Sequence, residues 1–454
     1  MSLPASAAPE DVSGRTWRKV GIRIIPLIGV AYVMSYVDRA NLGYLAAPMS
    51  RDLHLDSGQV GLAAGLFFLG YIVVEVPSNL ALRRFGARKW ITRIMLSWGL
   101  VTGATAAVNS AATLYLARLL LGFAEAGLAA GILLYLTYWF PRRQRSWALT
   151  GFFLMIPVSS IFGSPLAAAL LTWGRNLFGI AGWRSLFLVE GVLTVVIGIL
   201  IFVFLPDRPS EARWLGDAEK AALETTLAAE TEEQRGSGAL TGLRQTLTSG
   251  RVWALAVAFF GIVFGLYPLA FFLPTMITTI THRAGGTAEV GSVLLSAIPY
   301  LAAALVMLAW VRFAGRRTAV TATAVPMAFG AAGLLLATFA GSGPVFLVAV
   351  CLSVAGIYTA MPQFWRIPAI GLTGTAAASG IALINSVSNL SGFVGPYFTG
   401  AIKTATGSFT YALLAIAVIM VAGLVVLLTV GRRMEQLDGA LPPRAVTAGR
   451  RAAS

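Results

Sequence analysis

The feature that most constrains this chain is a series of long, uninterrupted apolar stretches that recur along nearly its whole length. A helix needs about 20 such residues to cross the hydrocarbon core of a bilayer, and only helices or closed barrels satisfy the backbone there. The stretches lack the alternation typical of strands, so they predict membrane-spanning helices. The twelve predicted spans are 22–47, 57–82, 90–108, 112–140, 147–172, 183–205, 252–281, 288–311, 318–340, 344–368, 375–402 and 408–430.

The composition supports a membrane protein. The chain is 57% hydrophobic and 12% charged, whereas about a quarter of the residues of an ordinary soluble domain are charged. This excludes a soluble enzyme, a disordered scaffold and a secreted disulfide-rich domain. The single cysteine, Cys351, excludes an intramolecular disulfide and a cysteine-based metal cluster.

The distribution of positive charge predicts the orientation of the chain. Most of the 34 lysines and arginines lie near the two termini and in alternate loops. By the positive-inside rule these segments face the cytoplasm, which predicts a multi-pass protein of the cell membrane with both termini inside. The net charge of +15 therefore indicates a topology in the bilayer and not nucleic-acid binding. The positive residues on the opposite side are Arg51, Arg175, Arg184, Arg283 and Lys403.

The spans fall into two groups of six, separated by the only long polar stretch. This arrangement is typical of transporters that are built from two pseudo-symmetric halves. Within the polar stretch, a surface helix is predicted from Asp217 through Gln234. The N-terminal residues show no cleavable signal peptide. The predicted parts are a cytoplasmic segment at 1–21, a six-helix bundle at 22–205, a cytoplasmic linker at 206–250, a second bundle at 251–431 and a disordered tail at 432–454.

Seven charged side chains are predicted to lie within the membrane, apart from those at the span ends that belong with the flanking loops. A charge at the bilayer centre costs at least about 2.5–3.5 kcal/mol, so each one needs a partner or a function. Both histidines, His54 and His282, fall in outer loops, which leaves carboxylates as the only candidates for a proton relay. The seven residues are Asp38, Arg39, Glu75, Arg118, Glu125, Glu190 and Arg366.

Four of these charges are predicted to share one region of the first bundle. Asp38, Arg39 and Arg118 lie at similar depths if the first and fourth spans are neighbours. Arg118 and Glu125 share a helix face two turns apart, which is too far for a direct pair, so Asp38 is the candidate partner of Arg118. Protonation of an acid would release an arginine to bind a substrate carboxylate bidentately. The alternative is that the four charges only hold the bundle together.

The other ionisable residues have simpler expected roles. Glu75 is expected to form a salt bridge with the nearby group Arg83, Arg84 and Arg88. Glu190 is expected to pair at a helix contact. Arg366 is either an interface arginine that extends to the membrane surface or a second anchor for a substrate carboxylate.

No acid of the second bundle is predicted to lie within the membrane, since Glu289 stands at the very start of the span 288–311. The notable feature of this bundle is a polar stripe at helical spacing, formed by Asn385, Ser388, Asn389 and Gly392. Such a stripe either joins helices through hydrogen bonds or forms half of a binding cavity, and the spacing alone leaves both alternatives open.

Several motifs in register resemble the anion:cation symporter family of the major facilitator superfamily, particularly bacterial tartrate, phthalate and hexonate permeases. The resemblance covers essentially all twelve spans. The motifs that carry it are 36–43 (YVDRANLG), 75–79 (EVPSN), 118–125 (RLLLGFAE), 135–141 (YLTYWFP) and 382–389 (ALINSVSN).

This resemblance implies an all-α fold of twelve transmembrane helices in two six-helix bundles. It also implies proton-coupled uptake of a small organic anion by alternating access. By position, Asp38 and Glu125 would carry the coupling protons, and no other cofactor or metal would be needed. The substrate-binding residues would be Arg39, Tyr71, Arg118, Trp365 and Asn385, with Arg366 as a further candidate. The superfamily's usual habit predicts a monomer.

The chain departs from the superfamily pattern in the loop after the second span. An acid normally precedes the arginine there, whereas this chain has Arg83.

Three alternatives to uptake remain: an exporter or exchanger of the same fold, a ligand sensor without turnover, and a membrane enzyme. The enzyme would need a nucleophile–histidine pair or a metal cluster, for which no histidine or cysteine is suitably placed. The expected substrate is a hydroxy-dicarboxylate, a sugar acid or an aromatic acid.

Overall fold

The computed structural model of the protein describes residues 14–235, 248–280, 286–315, 317–368 and 374–440. These residues are almost entirely helical. The first half of the chain contains α1 (Gly14–Leu53), α2 (Ser57–Phe85), α3 (Ala87–Thr105), α4 (Ala111–Glu125), α5 (Leu128–Thr137), α6 (Arg142–Phe178) and α7 (Gly182–Phe204).

A linker helix, α8 (Asp217–Arg235), precedes the second half and agrees closely with the surface helix expected there. The second half contains α9 (Gly250–Ile280), α10 (Gly286–Leu295), α11 (Ala297–Ala314), α12 (Ala319–Thr338), α13 (Gly343–Phe364), α14 (Gly374–Thr406), α15 (Thr410–Val426), a π-helical turn (Leu427–Gly431) and α16 (Arg432–Ala440).

Ten helical segments of the described residues are long and apolar enough to cross a membrane. Helices α3 and α14 are not among these ten, so the count of twelve crossings stays a prediction. We call the side of the bundle at which α1 begins the terminal face and the opposite side the distal face. Which of the two faces the cytoplasm also stays a prediction.

Local sequence signals fix where several helices begin. Asp56 caps α2, because its Oδ1 accepts the backbone N–H of Gln59 at 2.8 Å while the Gln59 side chain accepts the N–H of Asp56 at 2.9 Å. Such a capping box satisfies two N–H groups that the helix itself leaves unpaired. Ser110 and Thr113 form the same arrangement at the start of α4.

The fourth predicted span, 112–140, is divided into two helices. Helix α4 ends at Glu125, and α5 begins after Gly127, which has a φ of +90°. Glycine populates this left-handed region without the penalty of a β-carbon, and a Cβ here would also overlap the Ser78 side chain. The break therefore places Glu125 at the end of a helix inside the bundle.

The two halves approach each other closely toward the distal face. A Cβ on Gly43 of α1 would lie 2.7 Å from the carbonyl oxygens of Ala270 and Phe271 on α9. On α2, a Cβ at Gly61 would overlap the carbonyl oxygen of Pro396 on α14. Glycine at these positions lets two helix backbones come into contact, which closes the distal side between the halves.

The linker is docked on the terminal face of the first half. Lys19 Nζ of α1 forms an ion pair with Glu219 Oε2 of α8 at 2.7 Å. The rings of Trp139 and Trp214 stack at 5.8 Å, and the Tyr135 hydroxyl donates to the Pro206 carbonyl at 2.7 Å. These contacts place the linker beside the start of α1.

The predicted disordered tail, 432–454, begins as an ordered helix. Helix α16 continues to Ala440, and the Glu435 carboxylate accepts the backbone N–H of Val320 at 2.9 Å. That N–H belongs to the first turn of α12, where it has no acceptor within its own helix, so the contact holds the start of the tail. Residues 441–454 lie outside the described part.

Candidate functional site

A buried ion pair between α1 and α4 forms the centre of the site. Arg39 Nη2 lies 2.7 Å from Glu125 Oε1, and Arg39 Nε donates to the same oxygen at 3.0 Å. The Ser35 hydroxyl, one turn earlier on α1, also donates to this oxygen at 2.6 Å. The Glu125 side chain is fully buried, whereas the Arg39 side chain keeps 10% of its exposure. The pair therefore borders accessible space on the arginine side.

Three aromatic rings surround the Arg39 guanidinium. Its central carbon lies 5.1 Å from the ring centroid of Tyr36 and 5.2 Å from those of Phe67 and Tyr71. Aromatic faces attract a cation at this distance while excluding water. They hold the guanidinium in place, and Tyr71, which resemblance placed in the pocket, is brought beside Arg39.

Arg118 is fully buried, and its guanidinium has no hydrogen-bond acceptor among the described residues. None of Nε, Nη1 and Nη2 has a partner, and the ring of Phe67 lies 5.3 Å away. The expected direct pair with Asp38 is therefore not formed. A buried charge without hydrogen bonds is costly, so this arginine has unused binding capacity.

Asp38 belongs to a hydrogen-bonded group that joins α1, α3 and α7. Its Oδ1 accepts from Thr102 Oγ1 at 2.8 Å and from Asn41 Nδ2 at 3.3 Å. Asn41 Nδ2 also donates to Glu190 Oε2 at 2.7 Å. Glu190 therefore does pair at a helix contact, as expected, but this contact places it next to Asp38. The structure thus brings a fifth ionisable residue to the four that the sequence grouped.

Sequence reasoning missed three neutral members of this site: Ser35, Asn41 and Thr102. The spacing of two of them could have identified them. Ser35 lies four residues before Arg39, and Asn41 lies three residues after Asp38, so each shares a helix face with a charged residue. Thr102 carried no such signal, since its approach to Asp38 depends on how α3 packs. Within the described residues, no group of three or more metal-binding side chains occurs.

Glu75 has partners different from those expected. Its Oε1 accepts from Asn385 Nδ2 at 3.4 Å and its Oε2 from Asn389 Nδ2 at 3.3 Å, both across the boundary between the halves. Arg84 instead lies over the ring of Phe85, and Arg88 lies over that of Phe202. The side chain of Arg83 is outside the described part. The polar stripe of α14 therefore joins two helices at this point.

The two remaining predicted residues, Trp365 and Arg366, lie at the terminal end of α13. Trp365 packs edge-on against the ring of Phe259 at 4.8 Å. Arg366 Nη1 donates to the Ala314 carbonyl at 3.1 Å, and Nη2 donates to the Arg317 carbonyl at 3.3 Å. The guanidinium is exposed and bound to backbone carbonyls, which favours the interface alternative over the second carboxylate anchor.

A family model described as Major Facilitator Superfamily matches residues 28–396. The chain belongs to the major facilitator superfamily. This confirms the family that the sequence motifs predicted.

Individual relatives agree with this assignment. The chain is 40% identical over 428 residues to a protein of Agrobacterium vitis named "Putative tartrate transporter", covering 93% of this chain and 92% of the relative. It is 35% identical to a protein of Acinetobacter baumannii named "Quinolone resistance transporter", covering 92% and 95% respectively. The first name is consistent with the anion-transporting branch that the motifs resemble.

A solved structure shares the fold. A bacterial homologue of the human lysosomal transporter Spinster, in an inward-facing and unoccupied conformation, matches with a TM-score of 0.69. The match covers 95% of this chain and all of that structure at 16% sequence identity, so it supports the fold alone. Family and relatives together make this superfamily member a multi-pass membrane transporter and not an enzyme.

Proposed function

We propose that the protein is a secondary active transporter that takes up a small organic anion together with protons by alternating access. The observation that carries this proposal is the Arg39–Glu125 ion pair, buried beside Arg118, whose guanidinium has no hydrogen-bond acceptor in the described part of the chain. We further propose that it acts in the cell membrane with both termini in the cytoplasm.

The coupling step follows from the geometry of the ion pair. Both contacting nitrogens of Arg39 donate to a single oxygen of Glu125, and the other oxygen, Oε2, has no partner among the described residues. A proton that binds Glu125 removes the negative charge that holds Arg39. The guanidinium is then free to bind a substrate carboxylate through two parallel hydrogen bonds.

Asp38 and Arg118 are proposed to act in the same way, with Asp38 binding a second proton and Arg118 binding the anion. Arg118 is buried with its hydrogen bonds unmade, and Asp38 Oδ2 also lacks a partner among the described residues. Charge must stay balanced in so dry an environment, because an uncompensated buried charge is strongly unfavourable. Proton and anion are therefore expected to bind together, since each offsets the charge that the other introduces.

The lining of the pocket follows from the neighbours of Arg39. Tyr71 contacts the guanidinium through its ring. Asn385, from the second half, donates a hydrogen bond to Glu75, which lies one turn after Tyr71 on α2. We propose that Tyr71 and Asn385 border the substrate. For Trp365, which packs on Phe259, we propose that its accessible part lines the terminal side of the pocket.

The direct test is transport by the purified protein in proteoliposomes. Labelled L-tartrate, D-gluconate and benzoate represent the three carboxylate types that remain candidates. With an acidic exterior we expect at least one to accumulate inside, and a protonophore to abolish the accumulation. Accumulation that is independent of the pH gradient would contradict proton coupling. If no organic acid in a wider screen shows counterflow, the result favours a sensor.

An exporter of the same fold is the second candidate. The relative named a quinolone resistance transporter supports it. Inverting the pH gradient across the same vesicles distinguishes the two directions, because an exchanger that extrudes its substrate accumulates it only when the interior is the acidic side.

A further inference from the structure

Glu75 is a half-buried carboxylate within the bundle that has no part in the proposed coupling step. It lies one turn after Tyr71 on α2, and each of its oxygens accepts a hydrogen bond from a different amide of α14. Asn385 and Asn389 are four residues apart and therefore share one helix face. A single acid of the first half is thus held by two side chains of the second.

Between the Glu75 contact and the distal end of α2, where Thr404 bonds with Gly58 and Asp56, the described α2–α14 contact is apolar and very close. Gly61 and Gly65 of α2 lie directly against the backbone of α14 at Pro396 and Phe393, and Gly392 lies against the ring of Phe68. Such contacts depend on shape and give no response to charge. The Glu75 contact is different, because hydrogen bonds to an ionised group are about twice as strong as neutral ones.

Arg39 links this contact to the substrate site. The ring of Tyr71, one turn before Glu75 on α2, lies 5.2 Å from the central carbon of the Arg39 guanidinium, so Arg39 is a charged neighbour of Glu75. The positive charge of Arg39 favours the ionised carboxylate and so strengthens its hydrogen bonds to the two amides. At 3.3 and 3.4 Å, these bonds are longer than ordinary N–H···O hydrogen bonds.

We propose that Glu75, Asn385 and Asn389 form an electrostatic latch between the halves that senses the charge at Arg39. When Glu125 is protonated, Arg39 is left with an uncompensated positive charge that supports the Glu75 carboxylate. An anion that then binds Arg39 cancels this charge, so the latch weakens and α2 separates from α14. Glu75 is thus a positioning residue that sets the rate of opening on the distal face and does not contact the substrate. The proposal rests on the transporter fold and not on the identity of the substrate.

The latch can be measured without a substrate by labelling a buried distal position. Val60 of α2 is 2% exposed and lines a distal cavity of about 420 Å³ between the halves. In lipid nanodiscs, a Val60→Cys protein in the Cys351→Ser background reacts with a hydrophilic maleimide only when this side opens. We expect Glu75→Gln to raise the labelling rate about tenfold, the ratio that corresponds to one charged hydrogen bond.

Two controls separate the latch from general loosening. Glu224→Gln makes the same change at an exposed position of α8 and should leave the rate unchanged. Glu75→Gln combined with Asn389→Asp moves the acid across the interface and should restore slow labelling. If Glu75→Gln lowers the melting temperature, the labelling rate of Asn389→Ala is measured in its place, because this variant weakens the latch from the other helix. A wild-type labelling rate in both Glu75→Gln and Asn389→Ala overturns the proposal.

A double-mutant cycle tests the link to Arg39. Arg39→Gln should also raise the labelling rate, by up to about tenfold, but should add nothing in the Glu75→Gln background, since the charge that Arg39 supports is already absent. Effects that multiply would show that the two residues act independently, which would refute the charge link. None of these results depends on which anion is carried, so they are distinguishable from a failure of the proposed transport function.

Discussion

The two halves of the protein share an architecture but differ sharply in what they bury. The first half buries Asp38, Arg39, Arg118, Glu125 and Glu190. In the described part of the second half, the buried polar side chains are hydroxyls and one amide, among them Thr359 and Gln363. Among the described residues, the buried charges are thus concentrated in the first half, whereas the second half offers neutral polar groups and closely packed glycines.

The largest expected effect comes from removing Arg39, a buried cation with no counterpart in the described part of the second half. Arg39→Ala should abolish binding of the transported anion and, by leaving Glu125 as an unpaired buried charge, cost about 3–5 kcal/mol of stability. Titration calorimetry and thermal unfolding measure the two effects. Thr359→Val, which removes a buried hydroxyl of the second half, is the matched control and should retain binding. Comparable losses in both variants would abolish the contrast between the halves.

Proton coupling should depend on the acids of the first half. Glu125→Gln should eliminate accumulation driven by a pH gradient while leaving some substrate exchange, because a neutral amide cannot release a proton. Asp38→Asn should behave in the same way. Uptake and counterflow measured in one preparation of proteoliposomes distinguish coupling from transport. Retention of the wild-type pH dependence by both variants would remove these residues from the coupling mechanism.

The contact between the halves can be tested with a single methyl group. Gly61→Ala places a carbon against the Pro396 carbonyl oxygen, whereas the side-chain position of Gly103 on α3 has open space around it. Overpacking of this kind costs about 1–3 kcal/mol, so Gly61→Ala should disfavour the closed distal side and Gly103→Ala should not. Labelling of Val60→Cys in each variant reports this difference, and equal labelling would show that the close approach is not needed for closure.

The smallest effect is expected at the linker, which docks on the first half. The Lys19 ammonium donates to Glu219 and lowers the pKa of this carboxyl below its ordinary value. The stability from this ion pair is complete above the unfolded-state pKa of about 4.3, and it is lost as the pH falls through the lower folded-state pKa. Glu219→Gln should therefore cost about 0.2–1 kcal/mol at pH 7. Melting curves at pH 7 and at low pH measure this cost, which should vanish at low pH; a difference that persisted there would refute the ion-pair explanation.

The sequence alone anticipated much of the fold, because the relevant signals are local. Hydropathy located the helices, and the polar stretch located the linker helix that the structure has at Asp217–Arg235. The sequence could not locate the break after Glu125, because the strongly apolar run through Gly127 predicts one continuous span. The ordered start of the tail was missed for a related reason, because it depends on a contact between Glu435 and α12.

For the site, the sequence by itself determined which residues are costly in a membrane and therefore need an explanation. It singled out Asp38, Arg39, Arg118 and Glu125, since the energetic penalty of a buried charge belongs to the residue type and its depth. Only the tertiary structure decided how these charges are paired. Ion pairs and hydrogen bonds act over a few ångströms, and the rotation and packing of whole helices determine which side chains come within that range. This is why Arg39 pairs with Glu125, why Asp38 pairs through Asn41 and Thr102, and why Glu75 reaches across to the other half.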